Sequence, residues 1–412
     1  MSVISRRTTC RLCGSQNLDL VFQLAPSPIG DAYVTKDKLA DKQDTYPIDL
    51  FLCRECGLSQ LLDIINPEVL YGDYIYLTGS SLGLREHFQE YANDVIKNMI
   101  PSKKSPIIDI GSNDGTLLSY FKKSGYKVLG IEPAHHIAER ATLSGIETLP
   151  DFFSPNLAEK IVKDYGHATI VTANNVYANI DDLQTFTQGI RSLMAPDGVF
   201  VFESFYLADV IQNMVFDFIY HEHLSAFAIK PIQSFFSQMG MELINVKRIP
   251  TKGGSIRYFV KLKNGPRKID LSVASMIEYE ETLGLYTPKT FQVFSDKVDA
   301  LKMQTYSLLR DIKIQGGKIA GYGSSITATT LIYHFGIGEF LEYLVDDNPD
   351  KQGRFSPGLH IPVYSPEKLY EKKPDYAVIL AWRFAELIIE KHKAFIEQGG
   401  KFIVPLPELK VI

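Results

Sequence analysis

In the segment Phe216 to Phe227, FDFIYHEHLSAF, two of the nine histidines, His221 and His223, stand beside Tyr220 and Glu222 between apolar flanks. Imidazole titrates near pKa ~6.5 and can take a proton at neutral pH, with Glu222 or a neighbour fixing its tautomer. Two histidines at i, i+2 with one acid lack the H-E-x-x-H spacing of a metal-binding helix. An acid–base site is therefore the preferred reading, with a metal site and a purely structural pair as the alternatives. A second set lies in PIIDIGSNDGTLLSYFKKSGYKVLGIEP, Pro106 to Pro133. There Asp109, Gly111, Asn113, Asp114 and Gly115 surround a tight loop, and Glu132 follows 21 residues after Gly111. Glycines let the backbone approach a ligand closely, and an acid about 20 residues beyond such a loop can accept hydrogen bonds from a ribose. The spacing is D-x-G-x-x-x-G rather than G-x-G-x-x-G, and no basic residue lies in the loop to meet a pyrophosphate. An adenosine ligand without phosphates, S-adenosylmethionine, fits better than a dinucleotide. A turn that binds nothing is the bland alternative, since such glycine patterns are weakly specific.

The third set is metal-binding in type. All four cysteines lie in the first 56 residues, as Cys10-x-x-Cys13 and Cys53-x-x-Cys56. Two such knuckles supply four thiolates for a tetrahedral zinc, and closed four-thiolate sites are structural rather than catalytic. Free thiols, disulfides or a redox pair are the other readings. Further along, Lys252-Gly253-Gly254-Ser255-Ile256-Arg257 forms a small basic glycine turn. It could hold an anionic substrate group through backbone N–H groups and Arg257, or be an ordinary hairpin turn.

The elements that must position these residues alternate. Ile107 to Ile110 reads as a strand, the glycine loop leads into a helix with Leu117, Leu118 and Phe121 inward, and Val128 to Ile131 is a second strand ending at Glu132 and Pro133. A helix around Ile137 to Ser144, a strand Ala168 to Thr172, a helix Leu183 to Met194 and a strand Val199 to Glu203 continue the pattern. Strand–helix alternation implies a parallel sheet with right-handed crossovers. Asn174 and Asn175 then fall at a strand's carboxyl end, where amides could line a cofactor pocket. Phe88, Tyr91, Val95 and Met99 share one helix face. Tyr71 to Ser81, YGDYIYLTGSS, reads either as interdomain packing or as a lid. Residues 270–315 read as helical. Lys318 to Tyr322 then starts a second strand–loop–helix unit around Gly321, Tyr322, Gly323, Ser324 and Ser325, with Asp346 lying 25 residues after Gly321. Strands at Tyr376 to Ala381 and Lys401 to Val404 complete it.

Composition sets bounds. A chain of 412 residues implies two or three domains, and 45% apolar with 22% charged residues allows a substantial core. The net charge of −5, with signs mixed along the chain, gives no footprint for nucleic acid or an acidic membrane. Residues 1–60 carry seven basic and seven acidic side chains, so the cysteine module is a poor phosphate-backbone grip. Neither a signal-type run nor a stretch of about 20 apolar residues occurs, so a cytoplasmic protein is expected. A monomer is the working expectation.

These blocks in order, from the double CxxC through DIGSNDG, NNV followed by IDDL, YHEH, GGSIR, GYG, VDDNPDKQGRFSPGLHIPV and LAWRFAELI to GGKFIVPLP, resemble the sugar C-methyltransferases that make branched deoxysugars. The resemblance covers nearly the whole chain. It implies an α/β protein: a class I methyltransferase Rossmann-like domain with an N-terminal zinc-binding module and a second, C-terminal Rossmann-like domain. The expected limits are 1–75, 76–245 and 246–412. It further implies S-adenosylmethionine-dependent methylation, at C3, of a nucleotide-linked 4-keto-6-deoxy sugar through an enolate. In that scheme His223 is the base, Tyr220, Tyr76 and His221 surround the C4 oxygen, and Glu222 orients the histidine or binds a sugar hydroxyl. Tyr322 and Ser324 belong to the domain that helps to hold the nucleotide. The sequence departs from the family at Asn179 and Lys252, where members carry histidine usually and often, respectively. It departs again at Ser324 to Ala328, where Ala-x-x-Lys-Gly is usual. The rival readings are a small-molecule O- or N-methyltransferase, a zinc-bearing scaffold and a dehydrogenase using the Gly321 loop.

Overall fold

The computed structural model describes residues 3–71 and 83–412. The cysteine module is an antiparallel sheet of β1 (Leu18–Ser27), β2 (Tyr46–Cys53) and β3 (Ser59–Leu61). Alternation along β2 buries Ile48, Leu50 and Leu52 on one face, as the pleat requires. Ser225–Ala226, just after YHEH, pairs against β3 as the fourth strand of this sheet. The YHEH segment is thus tied to the cysteine module by main-chain hydrogen bonds.

The middle unit opens with α1 (Leu84–Met99), whose Phe88, Tyr91, Val95 and Met99 are buried as the helical spacing predicts. There follow β4 (Ile107–Ile110), α2 (Thr116–Lys123), β5 (Val128–Ile131), α3 (His135–Leu143), β6 (Thr148–Leu149), α4 (Pro155–Tyr165), β7 (Ala168–Thr172), α5 (Leu183–Leu193) and β8 (Met194–Phe205). After α6 (Ile229–Gln238), β9 (Met241–Ile249) and β10 (Ser255–Leu262) complete a seven-stranded sheet of order β9-β10-β8-β7-β4-β5-β6. Strands β4 to β8 are parallel, and β10 lies antiparallel between β8 and β9. The expected break at 245/246 therefore falls inside a strand. Every residue of β10 from Ser255 to Lys261 is covered, as a strand paired on both sides by β8 and β9 should be.

Helices α7 (Leu271–Thr282) and α8 (Pro288–Ile314) carry the chain to a second sheet. It contains β11 (Ile319–Tyr322), β12 (Leu344–Val345), β13 (Val363–Tyr364), β14 (Tyr376–Ile379), β15 (Lys401–Val404) and β16 (Lys410–Val411), in the order β13-β12-β11-β14-β15-β16. Helix α9 (Ile326–Phe335) follows β11 and packs on β1, where the Ala25 N–H donates to His334 Nδ1 at 3.2 Å and Phe22 meets the His334 ring edge-on at 6.1 Å. Among the described residues no helix is long and apolar enough to cross a membrane.

Candidate active site

Because β4, β7 and β8 are adjacent and parallel, the residues following each share one rim, about 10 Å across at two strand spacings. At the β4 end, Gly111 has φ +70°, and a Cβ there would meet Val176 Cγ2 at 2.4 Å, so only glycine lets the loop after β7 close on it. The Asn113 N–H donates to Glu132 Oε2 at 3.0 Å and the Ala134 N–H, just past Pro133, to Oε1 at 2.9 Å, which fixes a buried carboxylate against the loop. Burial raises the Glu132 pKa, with those N–H groups opposing. Asp109 is pushed up to about 7, first by burial and then by the Glu132 charge, against the Thr172 hydroxyl that donates to it at 2.6 Å. The Asn175 N–H is spent on the Glu203 carbonyl at 2.7 Å. Both side-chain polar atoms of Asn174, and Ser112 Oγ, are buried without a hydrogen-bond partner among the described residues. Buried polar atoms left in this way are ready to be satisfied by a polar ligand, and together with Glu132 they fit an adenosine. Asp114 does something else: its carboxylate accepts from Thr116 N–H and Oγ1 at 3.1 and 2.6 Å, so it serves the start of α2.

At the β8 end, Phe205 stacks on His223 with ring centroids 4.5 Å apart, and Tyr220 covers the ring from 4.0 Å. His223 Nδ1 lies 2.7 Å from the Phe218 carbonyl. A carbonyl only accepts, so Nδ1 carries the proton and Nε2 is left with its lone pair. Burial is the main reason the His223 pKa falls to about 3. The Phe218 carbonyl opposes the fall and the Lys252 charge adds to it. Glu222 makes no hydrogen bond to His223. It is buried and rises to about 8, mainly through desolvation, with Asp31 adding and Lys252 opposing. The expected carboxylate orienter is thus replaced by a backbone carbonyl.

Other expected assignments change for reasons of pairing. His221 is buried with Nε2 3.2 Å from the Tyr46 carbonyl, so it fastens the segment to β2; burial lowers its pKa to about 4. Arg257 is buried, donates to Glu203 at 3.1 and 3.0 Å and to Asp94 at 2.9 Å, and lies 3.9 Å over the Tyr91 ring. His87 Nε2 completes this network 2.7 Å from Glu203. A guanidinium so engaged is not available to a substrate anion. Removing one partner of a buried charge pair costs roughly 3–5 kcal/mol, so Arg257→Ala should lower the unfolding free energy by about that amount in urea titration. A substrate-binding role would instead leave stability unchanged and raise KM. Ser255 Oγ and the Gly254 N–H both donate to the Thr251 carbonyl, at 3.1 and 3.0 Å, and Gly253 abuts Arg383 and Val215. The turn is self-satisfied and is not an open anion cradle.

In the second unit, Tyr322 is buried with its hydroxyl donating to Asp347 at 2.9 Å and lying 2.9 Å from His392 Nε2. Ser324 is fully buried, with N–H and Oγ donating to Asp346 at 2.6 and 2.8 Å. Gly30 of the cysteine module sits on Ile326, where a Cβ would meet Cγ2 at 2.6 Å, and its carbonyl accepts from Thr329 at 2.9 Å. The start of α9 is thereby covered by the cysteine module, and Tyr322 and Ser324 are buried in their own hydrogen bonds rather than open to a substrate. Tyr76 and the proposed lid lie outside the described residues. Sequence reasoning missed Asp217, which is fully buried and accepts from Trp382 Nε1 at 3.0 Å and Arg383 Nη1 at 2.7 Å. Arg383 also lies 4.6 Å from the Phe218 ring, so the second unit grips the segment that presents His223. The available signal was an acid between two phenylalanines.

The cysteines meet as expected: all four Sγ atoms lie within 4.8 Å of one another, with Cys10–Cys56 at 3.5 Å and Cys13–Cys53 at 3.6 Å. Thiolates around a tetrahedral zinc at ~2.3 Å are ~3.8 Å apart, so Cys10, Cys13, Cys53 and Cys56 fit one ion.

The strand order, glycine loop and terminal acid define a class I S-adenosylmethionine-dependent methyltransferase. Residues 84–246 match the family model of a methyltransferase domain, 10–71 that of a zinc binding domain and 250–407 that of a C-methyltransferase C-terminal domain. The chain is 31% identical to the C-methyltransferase NovU of Streptomyces niveus over 404 residues, covering 98% of this chain and 96% of that one. It belongs to the C-methyltransferase family and transfers a methyl group from S-adenosylmethionine to carbon. Among solved structures that match part of this chain is the PH0226 protein of Pyrococcus horikoshii (12% identity, 48% of this chain and 100% of that one, TM-score 0.39). Another is an S-adenosylmethionine-dependent methyltransferase of Anabaena variabilis (14%, 44% and 96%, TM-score 0.32).

Proposed function

We propose that the substrate is a nucleotide-linked 4-keto-6-deoxy sugar and that the methyl group is added at C3 through an enolate formed by His223. The observation that carries the reading is the lone pair on His223 Nε2, left by the Phe218 carbonyl at the same rim as the glycine loop. Carbon is a poor nucleophile until a proton is removed, and a ketone at C4 acidifies the hydrogen on C3. Bound S-adenosylmethionine supplies a methyl group already electrophilic on a sulfonium, and the sulfur keeps the bonding pair when carbon takes the methyl. The chain's own task is to make the carbanion. An imidazole at about 3 is a weak base in the free enzyme, and it accepts a proton once negative charge develops beside it on the substrate oxygen. Glu222, neutral below about 8, has a hydroxyl hydrogen to donate to that oxygen, as a carboxylic acid held neutral by burial can. Tyr220 covers one side of the imidazole at 4.0 Å.

The pH dependence follows with a definite sign. Glu222 donates only while protonated, so activity should fall as pH rises through about 8. His223 stays neutral down to about 3, so no acid limb is expected near 6.5. Glu222→Gln, which keeps a donor but cannot ionise, should retain most neutral-pH activity and lose the alkaline fall. A pH–rate profile of both proteins checks this, and an unchanged alkaline limb in the variant would remove Glu222 from the reading. Turnover of a panel of dTDP-, UDP-, GDP- and CDP-linked 4-keto-6-deoxy sugars, with the product located by NMR, tests the substrate class. Methyl on oxygen or nitrogen, or no turnover with any of them, would overturn it.

A further inference from the structure

Lys252 is a side chain without a function in the scheme above. It occupies the turn from β9 to β10, and because Ser255 pairs with Phe205, that turn lies at the rim where Phe205 stacks on His223. The turn is locked: the Asn213 side chain donates to the Gly253 carbonyl at 3.0 Å, the Tyr206 N–H to the Gly254 carbonyl at 3.3 Å, and the Gly254 N–H to the Thr251 carbonyl at 3.0 Å. Within it Lys252 adopts φ 59°, ψ 23°, a left-handed conformation that costs a β-carbon residue roughly 1 kcal/mol or more and is found preferentially at functional sites. The neighbouring basic groups are all matched: Arg257 by Glu203 and Asp94, Arg248 by Asp209, Arg383 by Asp217, Lys351 by Asp31. Lys252 is half-buried and makes no ion pair or side-chain hydrogen bond among the described residues, yet its charge acts on both Glu222 and His223. An uncommitted cation beside the base only hinders protonation of that base in the free enzyme. It becomes useful when the substrate brings negative charge.

We infer that the Lys252 ammonium contacts the substrate's carbonyl oxygen and balances the negative charge that collects there as His223 takes the neighbouring proton. This rests on the enolate reading above. In that step the C–H bonding pair becomes the carbon–carbon double bond, the carbonyl π pair moves onto oxygen, and the proton goes to His223 Nε2. A fixed charge aimed at the developing oxyanion stabilises the transition state more than the neutral ketone, so its loss should appear in the rate rather than in binding.

The test is deuterium exchange into the 4-keto-6-deoxy sugar panel in D2O with S-adenosylhomocysteine bound, for the parent, Lys252→Met and Lys252→Arg. Lys252→Met should lower the maximal exchange rate by about 100-fold with little change in KM. Lys252→Arg should restore most of it, and calorimetry should show parent-like S-adenosylhomocysteine affinity in both, which reports an intact fold. Parent-like exchange in Lys252→Met would overturn the inference. So would a raised KM with the rate preserved, because the cation would then be holding the diphosphate. A parent that exchanges no carbon-bound hydrogen with any of the sugars would instead sink the enolate reading itself.

Discussion

His223→Ala should slow exchange of the hydrogen next to the ketone, and methylation with it, by roughly 10²–10⁴-fold, the usual contribution of a positioned general base. S-adenosylhomocysteine affinity should stay close to that of the parent, because the glycine loop lies two strands, and Glu132 three, from the strand end that carries the imidazole. The size of the effect follows from how little else at the β8 end could take its place. Glu222 is held protonated, His221 is turned to the Tyr46 carbonyl, and Tyr220 is a phenol stacked on the imidazole it would have to replace. His221→Ala is the matched control: it removes a tether of order 1 kcal/mol and should leave exchange near the parent rate at a temperature where the fold holds. Equal losses in the two variants, measured by NMR of the exchanging sugar, would mean that the segment's structure matters and that His223 is no base.

Loss of the metal should have the second large effect. The cysteine module does not stand apart: β3 pairs with Ser225–Ala226, Arg11 donates to the Leu61 and Leu224 carbonyls, His221 meets Tyr46, and Gly30 seats on Ile326 and Thr329. Its sheet holds the YHEH segment on one side and the second Rossmann-like unit on the other. Structural zinc contributes about 10–16 kcal/mol to small zinc modules at neutral pH, as much as the whole 5–15 kcal/mol that a domain retains. Cys53→Ser should therefore drop zinc content, measured by atomic emission, from one ion per chain to a small fraction. It should lower the melting temperature by well over 10 °C and end methylation. Retained activity after complete zinc loss would show that the module is not what holds His223 in place.

The strands and helices around the glycine loop were legible because they are close in sequence or set by period. The glycine loop and Glu132 are one strand–helix–strand apart, and strands Ala168–Thr172 and Lys401–Val404 have the expected limits. The cysteine pairs were legible because the chemistry fixes the spacing. What misled was charge. Arg257 read as a substrate contact because its real partners, Glu203 and Asp94, come from a strand and a helix more than 50 residues away. Ser324 and Tyr322 read as an open loop because nothing local says that Gly30, nearly 300 residues earlier, closes over α9. The antiparallel return of Ser255–Leu262 onto the first sheet was not legible, because its alternation is the same as that of a strand starting a new sheet. Lys252 was passed over in favour of Arg257, although the backbone that makes it distinctive, a left-handed lysine before two glycines, is invisible to pattern reading.

The most direct test follows the hydrogen on C3. The parent enzyme, saturated with S-adenosylhomocysteine in D2O, is mixed with the proposed substrate, a 4-keto-6-deoxy sugar nucleotide, and the C3 proton signal is followed by NMR. We expect the signal to disappear at least as fast as methylation runs with the true methyl donor, and His223→Ala to leave it in place. A C3 proton that persists while methylation proceeds at its normal rate would contradict a base-generated carbanion.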